Sequence, residues 1–158
     1  MPFQQLNKLV NSKKNVAHHY DIDENLYKLF LDKDMQYSCA YFHNVNISLD
    51  QAQKDKKEHI INKLQINENM NVLDIGCGWG GMAIEIAKST GATVKGITLS
   101  ENQFKTASVR AQKEGLSDKV TFALQDYRNE KNKYGFVEHL SRPPSHHCAT
   151  LAVSPAYS

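Results

Sequence analysis

No apolar run in this chain approaches the ~20 residues that cross a bilayer, and the opening MPFQQLNKLVNSKK lacks an apolar core long enough for a secretory signal. Cysteine is scarce. Cys39, Cys77 and Cys148 are odd in number and at no metal-ligand spacing, which argues against a disulfide framework and for a reducing cytoplasm. A dominant sign of charge is missing too: a formal net charge of +2 gives no footing for nucleic-acid binding. Proline is sparse, and three of the four fall after residue 140. What remains is 158 residues, 41% hydrophobic and 23% charged, enough for one soluble domain with a core of its own. Any membrane contact is expected to be peripheral.

Three stretches differ in character. Residues 1–65 read as an N-terminal helical or lid segment. It holds an amphipathic helix at 3–14 (Phe3, Leu6, Leu9, Val10), helical spacing at Leu26, Tyr27, Phe30 and Leu31, and an irregular aromatic run from Met35 to Phe42. Ser48 and Gln51 resemble a capping box. The helix they open is expected to turn Leu49, Ala52, Ile60, Ile61 and Leu64 inward and to leave Lys54, Lys56 and Lys57 on a solvated face. Residues 66–128 alternate: strand 71–76, helix 80–89, strand 93–99, a helix capped by Ser100 and ended by Gly115, strand 119–124. Strand and helix at this spacing mean βαβ units and a parallel sheet, with a ligand site at the carboxyl ends of the strands. Residues 129–158 read as a divergent, loose tail. His146, His147 and Cys148 are adjacent there, and adjacent side chains rarely converge on one ion, so no metal site is assigned.

The stretch from Asn71 to Gly81, NVLDIGCGWGG, carries the chemistry. A strand runs into glycines at 76, 78 and 80, where no Cβ keeps a ligand from the backbone. A dinucleotide fingerprint spaces its glycines G-x-G-x-x-G. Here they alternate, and Asp74 lies inside the strand, two residues before the first. That pattern resembles the first motif of class I S-adenosylmethionine-dependent methyltransferases, in which Asp74 would fix the loop or meet the cofactor's ammonium. The plain alternative is a turn that packs a helix on a strand. At the end of strand three, Asp126 and Tyr127 offer an acid and an aromatic for an adenine. Strand two ends in Thr98, with no carboxylate for ribose hydroxyls, so Thr98 and Gln103 must supply those hydrogen bonds or Glu101 must reach back.

Five motifs in order resemble a narrower family: His19-Tyr-Asp21, Met35 to Phe42 (MQYSCAYF), Leu73 to Gly81, Gly96 to Ser100 with Gln103, and Gln125 to Arg128. They are similar to cyclopropane-fatty-acyl-phospholipid synthases and mycolic acid cyclopropane synthases. The resemblance implies a Rossmann-like α/β fold and methylene transfer from S-adenosylmethionine to a cis double bond of an unsaturated phospholipid at the membrane surface, by a cytoplasmic enzyme at its inner face. It implies that the alkene attacks the sulfonium methyl and that a base, bound bicarbonate, removes a proton as the ring closes. It implies Cys39 as a bicarbonate ligand, Tyr37 and Ser38 near the cofactor carboxylate, and Gly76, Thr98, Gln103, Asp126 and Tyr127 as cofactor contacts, beside Asp74, Gly78 and Gly80 of the loop.

By motif the match stops at Arg128. A Glu-His pair follows at Glu138 and His139, earlier than the family's own pair. It is either the bicarbonate glutamate after a deletion or a chance match. With no fourth strand in sight, the first strand would be a sheet edge, and the expectation is a truncated or frame-shifted chain, incomplete at its C-terminus and of doubtful activity. The competing readings are a methyltransferase for another lipid or small molecule and a non-catalytic S-adenosylmethionine-binding fragment.

Overall fold

A computed structural model describes residues 24–131, 136–139 and 150–155. The expected helix at 3–14, the His19-Tyr-Asp21 motif and the His146–Cys148 group lie outside the described residues. In chain order the elements are α1 (Glu24–Lys28), α2 (Leu49–Leu64), β1 (Met70–Ile75), α3 (Gly81–Thr90), β2 (Thr93–Thr98), α4 (Glu101–Lys113), β3 (Val120–Leu124), β4 (Phe136–His139) and β5 (Thr150–Pro155). The alternation read between residues 66 and 128 is all present.

The sheet runs β3-β2-β1-β5-β4. β1, β2 and β3 pair in parallel, with Asp74 opposite Gly96 and Thr98 opposite Leu124. β5 lies antiparallel against β1, with Asp74 opposite Leu151, and β4 lies antiparallel against β5. Two expectations are corrected. β1 is an interior strand, because β5 takes up the ladder that was expected to stand open. The stretch after residue 129 is not all loose, since it supplies both added strands. Their signal was hidden because FVEH and TLAVSP are too short for a period-2 pattern to stand out.

One face of the sheet carries the main core. Ile60, Ile61 and Leu64 of α2 meet Met82 and Ile86 of α3, Ala111 of α4, and Val72, Val94 and Val120 of the strands. Strand residues alternate sides, so Asp74 shares the face of Val72. The opposite face has a smaller cluster of Leu73 and Ile97 with Ile75 and Ala123. Gly96 is required by close approach: a Cβ there would stand 2.5 Å from Phe122 Cδ1 and 3.0 Å from Cys77 Cβ.

Helix ends follow their caps. The Ser48 and Ser100 hydroxyls accept from the amides of Gln51 and Gln103, at 3.2 and 3.3 Å. The reciprocal half of the expected box at 48–51 is not made, since the Gln51 side chain donates to Asp55 instead, at 2.7 Å. Leu49 is exposed rather than inward. α1 is only one turn long, and of the residues given helical spacing there Tyr27 alone is buried.

Candidate cofactor-binding site

The glycine loop leaves β1 and is tied at once to its neighbour: the amides of Gly76 and Cys77 both donate to the Ile97 carbonyl, at 2.9 and 3.0 Å. Gly76, Gly78 and Gly80 hold positive φ of 73°, 54° and 83°. A Cβ at Gly78 would meet nothing within 4 Å, so open space lies in front of the loop. Helix α3 starts immediately behind it, at Gly81. The predicted contacts from the three parallel strands therefore gather at one edge, the carboxyl ends of β1, β2 and β3.

Asp74 is the most constrained group there. It is 1% exposed, and neither carboxylate oxygen has a hydrogen-bond partner among the described residues. A buried polar group without a partner is costly and calls for an explanation. Burial raises its pKa to about 7, against an opposing pull from Lys56. At the end of β2 the Thr98 hydroxyl donates to Gln103 Oε1 at 2.8 Å, and both side chains are buried. Glu101 instead lies exposed, 3.8 Å from Lys105. Thr98 and Gln103, not Glu101, thus line the strand end. Asp126 is buried and accepts from Arg128 through its backbone amide, Nε and Nη2, at 2.9, 2.9 and 2.6 Å. Tyr127 is exposed beside it, with Arg128 6.0 Å from its ring centroid.

The aromatic segment forms a strap along α2. The Gln53 amide donates to the carbonyls of Gln36 and Ser38, at 3.2 and 3.0 Å. The Lys56 ammonium donates to Gln36 Oε1 at 3.1 Å and to Ser38 Oγ at 2.7 Å. Further along, Tyr41 stacks on His59 and His43 pairs with Asp55 at 2.8 Å. Tyr37, Tyr41 and Phe42 are about half exposed, so they are not core packing, and Cys39 is exposed.

The strap is also locked to the glycine loop. Asp34 pairs with Lys57 and, at 2.9 Å, with Arg110 Nη2. Arg110 Nη1 reaches the carbonyls of Asp34 (3.1 Å) and Trp79 (2.8 Å). Lys57 also pairs with Glu85 at 3.3 Å. Trp79 of the loop buries its ring against Tyr27, centroids 4.7 Å apart. A Cβ at Gly81 would lie 2.9 Å from the Asp34 carbonyl, so the strap presses directly on the start of α3.

The lysine expectation is corrected here: Lys56 and Lys57 are buried, with Lys57 3% exposed at its side chain. The sequence held a signal for this. Gln53 and Lys57 continue the phase of Ile60, Ile61 and Leu64, so the inward stripe is apolar in its C-terminal half and polar in its N-terminal half. Asp34 and Arg110 had no local signal, because their partners lie far away in sequence.

Glu138 falls on β4, opposite Leu151, which itself stands opposite Asp74. The backbones of Glu138 and Asp74 thus occupy one row of the sheet, one strand apart.

A family model described as mycolic acid cyclopropane synthetase matches residues 7–141, past Arg128 and through Glu138 and His139. A probable fatty acid methyltransferase of Pseudomonas putida is 48% identical over 114 residues, 72% of this chain and 29% of that protein. The cyclopropane-fatty-acyl-phospholipid synthase of Escherichia coli K12 is 43% identical over 128 residues, 77% of this chain and 32% of that one. A solved mycolic acid cyclopropane synthase, complexed with SAH and CTAB, is 31% identical at a TM-score of 0.72, covering 75% of this chain and 42% of its own. The chain spans about 30% of the length of the curated relatives it matches.

Proposed function

Because this chain belongs to the mycolic acid cyclopropane synthetase family, we propose that its glycine loop and strap bind S-adenosylmethionine for methylene transfer to the cis double bond of an unsaturated phospholipid acyl chain. The observation that carries the reading is Asp74: a buried carboxylate with two unpartnered oxygens, beside a loop with open space before Gly78. An α-ammonium is the partner such a group lacks. The solved relative complexed with SAH and the relatives named for fatty-acyl substrates support the cofactor and the lipid.

When bound, S-adenosylmethionine supplies a methyl carbon made electrophilic by its sulfonium. The chain's own residues do the rest. Gly76, Gly78 and Gly80 keep side chains out of the ligand's path. Thr98 orients Gln103, whose Nε2 remains as donor to a ribose hydroxyl. Tyr127 offers an exposed ring face for adenine, while Asp126 holds the turn beneath it through Arg128. Tyr37, Tyr41 and Phe42 present partly exposed aromatic faces suited to a cationic centre. Bicarbonate would be held near Cys39, which is exposed and within electrostatic reach of the Lys56 ammonium. Glu138, whose backbone shares the sheet row of Asp74, would be a second residue to hold that anion, which would supply the base for ring closure.

Calorimetry with S-adenosylhomocysteine, followed by incubation with labelled cofactor, bicarbonate and unsaturated phospholipid vesicles, tests the reading. Labelled cyclopropane lipid is expected. Labelled methyl-branched lipid would change the product, binding without lipid product would make the chain a cofactor binder, and absence of binding would overturn the whole assignment.

A further inference from the structure

The site pairs Asp74 of the glycine-loop motif with a charge of opposite sign that no sequence motif contains, Lys56 of α2. Lys56 is buried, yet two of its three N–H groups go to uncharged acceptors, Gln36 Oε1 and Ser38 Oγ. Among the described residues its charge is therefore unmatched by any direct ion pair. Asp74 is buried with both oxygens unpartnered among the described residues. The two are within electrostatic reach of each other but not bonded. A buried ammonium and a buried carboxyl that ionises when a cation meets it are complementary to a zwitterion, the form of an α-amino acid at neutral pH.

The direction of the Ser38 hydrogen bond sharpens this. Its Oγ accepts from Lys56 at 2.7 Å, so its own O–H proton must point elsewhere. Ser38 is thereby turned into a donor, polarised by the ammonium behind it.

Resting on the cofactor reading above, we propose that Lys56 is a positioning residue for the amino-acid end of the cofactor. Its ammonium aims the Ser38 hydroxyl at the α-carboxylate, while Asp74 takes the α-ammonium. Gln53 holds the strap in place for this by clamping the carbonyls on either side of Tyr37. The charged and titratable groups within electrostatic reach of Lys56 are Asp32, just before the strap, Cys39 of the strap, Lys57 of its own helix and Asp74 of β1; burial lowers its pKa to about 8, so it is charged at neutral pH.

The test compares two probes, S-adenosylhomocysteine and 5′-methylthioadenosine, which keeps the nucleoside but has no amino or carboxyl group. In Lys56→Met and Ser38→Ala, affinity for S-adenosylhomocysteine should fall about ten- to a hundredfold, the size of one charge-assisted hydrogen bond. Affinity for 5′-methylthioadenosine should stay within about twofold, which also verifies folding. Lys56→Arg should recover part of the loss. Equal losses for both probes, or no loss for either, overturn the role of Lys56. Where Lys56→Met does not fold, Ser38→Ala and Lys56→Arg decide by the same comparison. Wild-type protein that binds neither probe overturns the cofactor reading instead.

Discussion

Gly78 and Gly115 both hold a left-handed backbone, at φ +54° and +69°, and both have open space where a Cβ would stand. Alanine at either position should cost about 1–2 kcal/mol of strain, read as similar falls in thermal midpoint. Only Gly78 faces the proposed ligand. Gly78→Ala should therefore weaken S-adenosylhomocysteine binding at least tenfold while Gly115→Ala leaves it unchanged; equal binding in both variants would count against the loop as the cradle. Asp74 makes a second prediction. Its folded pKa of about 7 lies above its usual 3.8, so the folded state keeps a proton that the unfolded chain releases near pH 4. Its contribution to stability is complete below about pH 4 and is lost as pH rises through about 7. Midpoints of the ligand-free protein should fall across that window, and Asp74→Asn should flatten the fall. The ligand's ammonium should favour the ionised form, so added S-adenosylhomocysteine should raise the midpoint more at pH 7.5 than at pH 5.5.

Among the elements, the strap and the glycine loop meet through Asp34. The Arg110 fork serves three acceptors on two segments, the Asp34 carboxylate, its carbonyl and the Trp79 carbonyl. Arg110→Ala should lower stability by about 1–3 kcal/mol, the lower end reflecting partial exposure of the pair. It should also speed amide exchange at residues 34–37 before the sheet is affected. Arg110→Lys should rescue little, because a point charge does not span three acceptors. Exchange unchanged in Arg110→Ala would remove the clasp from the account. The elements themselves were legible: apolar periodicity, Ser48, Ser100 and the glycines place α2, β1, α3, β2, α4 and β3 within a residue or two of where they are. Thr98 and Gln103 were legible as a pair for the same reason, being local. Asp34 and Arg110 were not, since an ion pair between distant segments leaves no periodic trace in either one, whereas Lys57 lay in phase with the inward stripe of α2.

For the whole molecule, the consequential strand is β5. It separates β1 from β4 and makes β1 interior. Proline at Ala152, which pairs with Leu73 on one side and Val137 on the other, would remove a ladder hydrogen bond from an interior strand. Ala152→Pro is expected to lower the thermal midpoint by several degrees and to increase aggregation through the uncovered β1; behaviour like wild type would remove β5 from the sheet. This pairing was beyond sequence reading, because antiparallel register between remote short strands is set by tertiary packing rather than by local pattern.

Chain order adds a schedule to that arrangement. On the ribosome β1, β2 and β3 are all made before β5, so β1 waits with one row of backbone groups open until its second neighbour emerges. The helices and the parallel ladder close over short stretches of chain, whereas the β1–β5 ladder closes a long one, and long closures are slow. The glycine loop, fastened to β2 by the Ile97 carbonyl, can take its shape during synthesis, ahead of the step that sets β5 beside β1.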